Sequence, residues 1–423
     1  MKEKIKIGYI GLGRRGTGVL KECISKMPDV EIAVLCDKYL PHLENAKKLL
    51  EEKNYPMPIL TENADDVFAN KDIDAVFIMT GWQEHTDLAI KSMRAGKYTA
   101  IEVGCAFDLD DCYRLINTYE ETGVPLMMLE NACYGRNELM ALNIVKQGLF
   151  GDVVHCAGGY CHELPEVELF KDIDKEYKHY RLASYIHRNC DQYPTHDLGP
   201  ISKLLNINRG NRMIKLSSFA SRTGGLKESA KYLLGEDSPY AKIDYKQGDI
   251  ITTVITCANG ETIHLTLDTT LPRPYYSRNF TIRGTKGMYG EERRVVFFQG
   301  MAEPVENNEE EMQKKYDHPI HKENEKYVSQ GDHNGLDWIT CRAFIESVKN
   351  GTNTPIDAYD TVSWMAIAPL SEMSIAKGGM PMDIPDFTKG RWINREPSPK
   401  SKYSLNEVCI DETTSIYPEG YEA

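Results

Sequence analysis

The chain has 423 residues, of which 41% are hydrophobic and 27% charged, a balance typical of a folded, water-soluble protein. This length predicts two domains rather than one core. The net charge of −13 argues against nucleic acid or an anionic membrane surface as a partner. Eleven cysteines without a Cys-x-x-Cys pair indicate neither a disulfide framework nor a structural zinc site, and we expect no bound metal.

The amino terminus indicates a cytoplasmic protein. An apolar run of about six residues follows Lys4 and is broken by Gly8 and Gly11, which is too short for the apolar core of a signal peptide or for a membrane-spanning helix. Unpaired thiols fit the same reducing compartment. We therefore expect the protein in the cytoplasm, with no membrane as a partner.

A dinucleotide-binding motif lies near the amino terminus. A β-branched run over residues 5–10 predicts a buried strand that enters Gly11-Leu12-Gly13-Arg14-Arg15-Gly16, and an apolar pattern of helical period follows. Strand, Gly-x-Gly-x-x-Gly and helix form the dinucleotide fingerprint. The second predicted strand ends at Asp37, whose carboxylate can accept both ribose hydroxyls and repels a 2′-phosphate. The motif predicts NAD as the cofactor.

Strands and helices alternate through the first third of the chain. Helices are expected near 39–53 and 85–95, and further strands at 75–79, 98–102 and 125–129. This alternation predicts a parallel sheet covered on both faces, where ligands bind beyond the carboxyl ends of the strands. The residues placed there are Trp82, His85, Glu102, Glu130 and Asn131. We expect this edge to contact the nicotinamide.

The pattern changes after residue 133. A helix at 138–147 precedes stretches of period two, which lie at 153–157, 213–218, 250–257, 262–269, 280–283 and 295–298. We therefore predict an α/β Rossmann domain with a doubly wound parallel sheet over 1–133, and an α+β substrate domain with a large, open-faced, mostly antiparallel sheet over 134–423.

Less regular parts of the second domain carry further predictions. The polar segments 161–190 and 301–332 are interpreted as long loops. Helices at 336–348 and 361–377 are expected to pack on a core, including that of the first domain. The tail from Trp392 is expected to be an extended strap or disordered.

The stretch from Asn189 to Pro200 concentrates groups that can exchange protons. It places Tyr193 and His196 just before an apolar helical run at 201–205. An imidazole and a phenol in a loop before a helix can act on a ligand near neutral pH. In the alternative interpretation, Pro194 and Gly199-Pro200 are turn residues and His196 caps the helix.

The glycine motif, Asp37 and the position of Glu102 resemble the glucose–fructose oxidoreductase and inositol dehydrogenase family. That family pairs a Rossmann domain with an open-faced sheet domain. Its sugar dehydrogenases carry Glu-Lys-Pro where this chain reads Glu102-Val103-Gly104. Because a valine cannot hold a proton, this departure argues against net dehydrogenation of a sugar.

A closer resemblance covers nearly the whole chain. The stretches that carry it are Trp82–His85, Glu102–Val103, Glu130–Arg136, Tyr193–Pro200, Asn206–Gly210, Pro355–Asp357 and Pro369–Glu372. In order and spacing they resemble the NAD-dependent α-N-acetylgalactosaminidases, glycoside hydrolase family 109. The resemblance implies an enzyme that acts on a small α-glycoside of N-acetylgalactosamine or a related hexose. Because open-faced sheets of this fold often pair, we also expect a homo-oligomer.

The resemblance also implies which residues line each ligand. Those expected to line NAD, besides Gly11, Gly13 and Gly16, are Arg14, Arg15, Asp37, Trp82, His85, Glu102, Val103 and Asn131. Those expected to line the sugar are Tyr160, Arg181, Tyr193, Pro194, Thr195, His196 and Tyr275. Two positions stay open, because His179, Tyr180, Tyr185 or His187 could replace Arg181, and Tyr276 could replace Tyr275.

The chemistry implied by the resemblance explains why a hydrolase keeps a redox cofactor. The sugar is oxidised at C3, the acidified C2 proton is removed, the C1–O bond breaks, water adds, and the sugar is reduced again, with no net consumption of NAD. We expect Tyr193 and His196 to carry out the proton transfers at C2 and C3, and the sequence does not decide which residue acts at which carbon. Alternative functions are an NAD-dependent sugar oxidoreductase, which would accumulate NADH, and a non-catalytic NAD-binding sugar sensor.

Overall fold

The computed structural model describes residues 4–171, 173–174, 178–302, 305–328, 332–396, 401 and 403–406. The amino-terminal sheet has six parallel strands in the order β3-β2-β1-β4-β5-β6. Its strands are β1 (Ile5–Ile10), β2 (Val30–Cys36), β3 (Ile59–Thr61), β4 (Ala75–Ile78), β5 (Tyr98–Ile101) and β6 (Leu126–Met128). The helices between them are α1 (Arg14–Glu22), α2 (Leu40–Glu52), α3 (Ala64–Ala69), α4 (Trp82–Arg94) and α5 (Leu109–Thr122).

The second sheet has eight strands in the order β13-β12-β11-β7-β10-β9-β8-β14. They are β7 (Val153–Cys161), β8 (Met213–Ala220), β9 (Ile250–Cys257), β10 (Thr262–Asp268), β11 (Thr281–Gly284), β12 (Gly287–Gly290), β13 (Val295–Phe298) and β14 (Met382–Asp383). Neighbouring strands are antiparallel except for the parallel pair of β7 and β10. The predicted fold class, a Rossmann domain followed by a mostly antiparallel sheet domain, is confirmed.

The helices described after residue 133 are α6 (Arg136–Lys146), α7 (Arg181–His187), α8 (Thr195–Leu204), α9 (Gly225–Leu234), α10 (Glu309–Tyr316), α11 (Pro319–Val328), α12 (Leu336–Asn350), α13 (Ala358–Met365) and α14 (Ile367–Ala376). Some of them, such as α8 and α14, pack on the second sheet, and others, such as α12 and α13, pack on the first domain. None of the helices within the described ranges is long and apolar enough to cross a bilayer.

Three predictions about the second domain are wrong. The two polar segments are not loops: the first contains a π-helix, Pro165–Leu169, and α7, and the second contains α10 and α11. Charged residues dominate both segments, so the few apolar positions that face the core gave no recognisable helical pattern. In α10 these positions are Met312 and Tyr316. The single helix expected at 361–377 is two helices that meet at Ala366. Pro369 is tolerated because it lies in the first turn of α14, where its missing N–H has no intrahelical partner.

Helix α8 starts at Thr195, which places His196 in its first turn. Gly199 and Pro200 lie inside the helix, so the interpretation that they form a turn is wrong. Pro200 has no N–H to donate to the carbonyl of His196 four residues earlier. The helix tolerates this loss because the side chains of α8 are almost entirely buried against neighbouring elements.

The carboxyl-terminal helices pack back on the first domain. The Phe344 ring of α12 meets the Phe77 ring of β4 edge-on, with centroids 5.1 Å apart. Arg342 of α12 donates to both carboxylate oxygens of Asp29, at 2.6 and 2.7 Å. The tail from Trp392 falls largely outside the described residues, although Tyr403 and Leu405 are buried.

A buried ionic cluster joins α8 to α13. Lys203 of α8 donates to Asp360 at 2.6 Å, and Arg209 donates to both Asp360 and Asp357 at 2.8 Å. The side chains of all four residues are at most 4% exposed. Arg395 also pairs with Asp357, so three positive side chains surround two buried carboxylates, and removal of a carboxylate leaves buried positive charge uncompensated.

We therefore expect Asp360→Ala to lower the free energy of unfolding by about 3–5 kcal/mol. Urea denaturation of the full chain measures this change. Glu228→Ala is the matched control, because Glu228 pairs with Lys231 at the surface and such exposed pairs contribute less than about 1 kcal/mol. Equal effects of the two substitutions would contradict the importance of the cluster.

Candidate active site

A cleft of about 890 Å³ runs along the carboxyl-terminal edge of the first sheet and continues toward α7 and α8. This volume suits a cofactor together with a small ligand. The predicted site residues that line the cleft are Gly11, Gly13, Arg14, Arg15, Gly16, Asp37, Glu102, Val103, Asn131, Tyr160, Arg181, Tyr193 and His196. The structure thus brings both predicted groups, for the cofactor and for the sugar, into one space.

The glycine motif leaves room for a close approach of backbone to backbone. Gly11 has a φ of +98°, and a Cβ there would lie 2.6 Å from the Met79 carbonyl carbon. A Cβ at Gly16 would lie 2.1 Å from the carbonyl oxygen of Gly11. Helix α1 begins directly after the extended Gly13, so its first N–H groups have no partners within the helix. This end of the cleft fits the pyrophosphate of a dinucleotide.

Asp37 lines the cleft directly after β2. Its carboxylate accepts the backbone N–H of Leu12 at 2.6 Å and that of Tyr39 at 2.8 Å, and it lies 3.2 Å from Nδ1 of His42. Burial raises the pKa of Asp37, but these hydrogen bonds outweigh burial and the pKa falls below its ordinary value. An ionised carboxylate here fits the ribose hydroxyls of NAD and disfavours a 2′-phosphate.

An ionic network lies where the two domains meet. Arg15 donates to Glu102 at 2.9 Å and, through two nitrogens, to Asp337 of α12 at 2.5 and 2.7 Å. Asn131 donates to the same Asp337 at 2.7 Å. The second carboxylate oxygen of Glu102 is buried and has no hydrogen-bond partner within the part of the chain that the structure describes, so it can accept a hydrogen bond from a ligand in the cleft. The sequence did not identify Asp337 as a site residue, because acidic residues are common in the first turn of a helix.

Trp82 and His85 lie behind the wall of the cleft. The Trp82 indole donates to the carbonyl of Val103 at 3.2 Å, and Nε2 of His85 lies 3.0 Å from the carbonyl of Thr80. Burial lowers the pKa of His85 to about 4, so the ring is neutral and carries its proton on Nε2. Both side chains fix the backbone of loops that line the cleft.

Tyr193 and His196 lie together at the far end of the cleft. Their rings meet edge-on with centroids 4.8 Å apart, and the Tyr160 ring lies 4.3 Å from that of Tyr193. Nδ1 of His196 is 2.7 Å from a carboxylate oxygen of the fully buried Glu130. The same oxygen accepts the N–H of Ala132 at 3.0 Å.

Glu130 fixes the protonation pattern of His196. Burial raises the pKa of Glu130, but the charge and hydrogen bond of His196 and the N–H of Ala132 outweigh it, so this pKa lies below its ordinary value. An ionised carboxylate keeps the proton of the imidazole on Nδ1 and leaves Nε2 free to accept another. The sequence placed Glu130 among the strand-end residues expected to contact the nicotinamide, but did not pair it with His196.

The guanidinium of Arg181 lies against the rings of Tyr193 and Trp82. Its guanidinium carbon is 4.5 Å from the Tyr193 ring centroid and 5.3 Å from that of Trp82. One nitrogen pairs with Glu168 of the π-helix at 3.1 Å. Of the alternatives left open, His179 and Tyr180 also line the cleft, whereas Tyr185 and His187 do not. Glu168 was missed because it lies in a segment interpreted as a loop.

Three predicted sugar-binding residues are placed elsewhere. Pro194 and Thr195 are buried at the start of α8 and do not line the cleft. Tyr275 is 60% exposed, with its ring against Arg273. Its neighbour Tyr276 does not line the cleft either, but its ring centroid is 6.1 Å from that of Tyr160, which does.

Comparison with known families accounts for both halves of the chain. Residues 5–130 match the model "Oxidoreductase family, NAD-binding Rossmann fold". Residues 134–394 match "Glycosyl hydrolase 109, C-terminal domain". The chain belongs to glycoside hydrolase family 109. This confirms the resemblance, the NAD-binding domain and the assignment as a glycoside hydrolase.

Family 109 relatives align along most of their length. An α-N-acetylgalactosaminidase of Tannerella forsythia is 37% identical over 418 residues, covering 93% of this chain and 88% of the relative. A glycosyl hydrolase family 109 protein of Parabacteroides distasonis is 36% identical over 416 residues, with 93% and 89% covered.

Solved structures share the fold of this family 109 chain. Levoglucosan dehydrogenase in complex with NADH and levoglucosan superposes with a TM-score of 0.68 at 17% identity, covering 90% of this chain and all of that one. The scyllo-inositol dehydrogenase of Lactobacillus casei gives 0.62 at 17% identity, with 91% and 99% covered. At this identity the likeness establishes the architecture alone.

A buried carboxyl supports the loop that carries Tyr193. Asp191 is 2% exposed, and its carboxylate accepts a hydrogen bond from the Thr253 hydroxyl at 3.3 Å and interacts with the backbone N–H of Tyr193. Burial raises the pKa of Asp191 to about 7, whereas an unfolded aspartate has a pKa near about 4. Between these pH values the folded chain therefore binds one more proton than the unfolded chain.

We expect Asp191 to lower the free energy of unfolding as pH rises from about 4 to 7, by up to about 1.4 kcal/mol per pH unit. The free energy of unfolding falls as pH rises because the folded state binds one more proton than the unfolded state, and a lower proton concentration disfavours the state that binds more protons. Asp191→Asn should remove this slope. Urea denaturation of both proteins at several pH values measures it, and parallel stability curves would contradict the assignment.

Proposed function

We propose that this protein hydrolyses α-linked N-acetylgalactosamine by transient oxidation at C3, elimination across C1 and C2, addition of water and re-reduction, with no net consumption of NAD. The observation that carries the proposal is the Glu130–His196 pair beside Tyr193, in the same cleft as the dinucleotide site. The name of the Tannerella relative supports the choice of sugar and anomer.

The residues at the cofactor end bind rather than react. The glycine motif and the start of α1 would hold the pyrophosphate, Asp37 the ribose, and Glu102 with Asn131 the nicotinamide side. When bound there, NAD⁺ supplies an acceptor for the hydride from C3, while the proton of the C3 hydroxyl passes to solvent in the cleft and returns to O3 when the ketone is reduced again. Val103 occupies the position of the lysine found in sugar dehydrogenases, so this edge of the cleft contributes no proton carrier of that kind.

His196 is the base of the elimination in this proposal. A proton next to a ketone is acidic enough for an imidazole to remove, whereas the same proton in the unoxidised sugar is not. Glu130 holds the ring by Nδ1, which directs the basic Nε2 away from the buried carboxylate. After the C1–O bond breaks and water adds to C1, the same nitrogen returns the proton to C2.

Tyr193 acts as a neutral hydrogen-bond donor. Burial raises the pKa of the Tyr193 phenol well above its ordinary value, although the nearby Arg181 opposes this rise. The phenol therefore keeps its proton near neutral pH and can donate to a sugar oxygen or to the departing glycosidic oxygen. The proposal therefore assigns His196 as base and Tyr193 as donor, a division that the sequence left open.

Removal of the dinucleotide tests the route. We expect protein freed of NAD to lose turnover of p-nitrophenyl α-N-acetylgalactosaminide, and added NAD⁺ to restore it without any accumulation of NADH. In D₂O the released sugar should carry deuterium at C2, because His196 exchanges that proton, and NMR detects it. Full activity without dinucleotide, or a product with only hydrogen at C2, would refute the proposal. Stoichiometric NADH would instead identify an oxidoreductase.

The role of Glu130 gives a second test. We expect Glu130→Gln to lower kcat by about 10²- to 10⁴-fold, as in other carboxylate–histidine pairs. A glutamine can donate its amide N–H to Nδ1 of His196, which places the imidazole proton on Nε2, so that Nε2 can no longer act as a base. KM should change little, and the acidic limb of the pH–rate profile should shift. Glu236→Gln, at an exposed glutamate, is the control. A loss confined to KM would contradict the positioning role.

A further inference from the structure

A second cavity, of about 460 Å³, lies apart from the catalytic cleft. Its lining residues come from the stretches 206–210 and 393–396 and include Asn406, and no described residue lines both the cavity and the cleft. Gly210 donates its N–H to the carbonyl of Trp392 at 2.6 Å, which joins the two stretches. The first stretch carries part of the resemblance to family 109, but it has no part in the proposed reaction.

Positive charge is in excess beside this cavity. Lys203, Arg209 and Arg395 pair with the two carboxylates of the ionic cluster that joins α8 to α13. A fourth positive side chain, Lys146, donates to the side-chain oxygen of Asn206, which lines the cavity. Four positive charges against two negative charges leave an excess of two.

The surroundings of Lys146 show the same excess. Burial lowers the pKa of Lys146, and the positive charges of Lys203 and Arg209 lower it further, to about 8. Glu396 also lines the cavity but is exposed, so solvent and salt screen its charge. The buried charges beside the cavity therefore favour a negatively charged ligand.

Two of the lining residues carry buried hydrogen-bond donors that have no acceptor among the described residues. They are Nη1 of Arg395 and Nδ2 of Asn406. The other terminal nitrogen of Arg395 pairs with Asp357, which holds the guanidinium in place while Nη1 is left without an acceptor. A buried donor without an acceptor is destabilising, and more so when it carries charge. An oxyanion, which has acceptors and negative charge, complements both features.

We propose that this cavity binds a phosphate group, either free or as the phosphate monoester of a small molecule. A phosphate monoester carries about −1.5 to −2 charge near neutral pH, which matches the excess of positive charge. Arginine and lysine bind phosphate through charge-assisted hydrogen bonds, and the amide of Asn406 can add a neutral one. The volume of the cavity is in the range of small-molecule sites, so it has room for an organic group attached to the phosphate.

The proposed phosphate site and the proposed base lie at opposite ends of one helix. Lys203 is in the last turn of α8, and His196 is in its first turn. A bound phosphate would neutralise positive charge at the end of α8 that is away from the cleft. We therefore expect such a ligand to stabilise the folded chain without entering the catalytic cleft.

Isothermal titration calorimetry of the full chain, with NAD added to saturation so that the dinucleotide site is filled, tests the proposal. The probes are inorganic phosphate and glucose 6-phosphate, and the controls are glucose and sodium chloride at matched ionic strength. We expect one phosphate site per chain and a higher melting temperature with the probes but not with the controls. Tighter binding of glucose 6-phosphate identifies a monoester site, whereas equal or weaker binding identifies a site for free phosphate.

Substitutions in the cavity wall separate this site from non-specific binding. Arg395→Gln should weaken phosphate binding by about 10- to 100-fold, because a charge-assisted contact is lost, while Arg209 still pairs with Asp357. Asn406→Ala removes one neutral donor and should weaken binding by about 3- to 10-fold. Arg391→Gln is the matched control, because Arg391 does not line the cavity and its side chain is 54% exposed. It should change the affinity by less than about 2-fold.

Two results would overturn the proposal. One is that neither probe binds, and the other is that Arg395→Gln and Asn406→Ala bind phosphate as tightly as the wild type while their melting temperatures show that they are folded. An internal competitor is tested separately, because the residues after Asn406 include five acids: Glu407, Asp411, Glu412, Glu419 and Glu422. If the full chain binds neither probe, but a variant with these acids changed to Gln or Asn does, the site serves the chain's own carboxylates and the proposed ligand is wrong.

Discussion

The hydrogen bond between Glu130 and His196 joins the two domains at the point where the chemistry is proposed to occur. Glu130 follows β6 of the cofactor domain, whereas His196 lies in the first turn of α8 of the second. The contact requires α8 to pack very close to the end of β6. Gly199 permits this, since a Cβ there would lie 2.9 Å from Cγ of Glu130. A larger residue at position 199 would therefore push the imidazole away from its carboxylate.

A second contact between distant parts of the chain fixes the cofactor side of the cleft. Asp337 of α12 accepts two hydrogen bonds from Arg15 and one from Asn131. Arg15 also pairs with Glu102. The pKa of Asp337 is well below its ordinary value because Arg15 and His333 outweigh the effect of burial. One ionised carboxylate from near the carboxyl terminus thus sets the position of an arginine in the glycine motif.

The elements of the fold could largely be predicted because their patterns are local. The period of β1 and the glycine motif identify the Rossmann domain, and strands such as β9 were predicted with their observed bounds. Contacts between residues far apart in the chain leave no such pattern. Asp337 lies 322 positions from Arg15, and no feature of its neighbours distinguishes it from other acids at helix starts. Glu168 was missed for a different reason, because the π-helix around it is only five residues long and has no helical period that the sequence could show.

A reaction that ends with its cofactor unchanged requires sugar and cofactor to stay together through every step. The segment before α7 provides a physical means for this. Arg14 of the glycine motif donates to the carbonyl of Val167 at 3.0 Å, and the Tyr180 ring meets that of Trp82 edge-on at 5.2 Å. The second domain is therefore tied to the cofactor-binding loop on one side and to the aromatic wall on the other. A dehydrogenase that exchanges its cofactor must release the reduced form at each turnover, whereas the proposed hydrolysis needs no release, and these cross-contacts hold together the two parts of the chain between which the cofactor would stay.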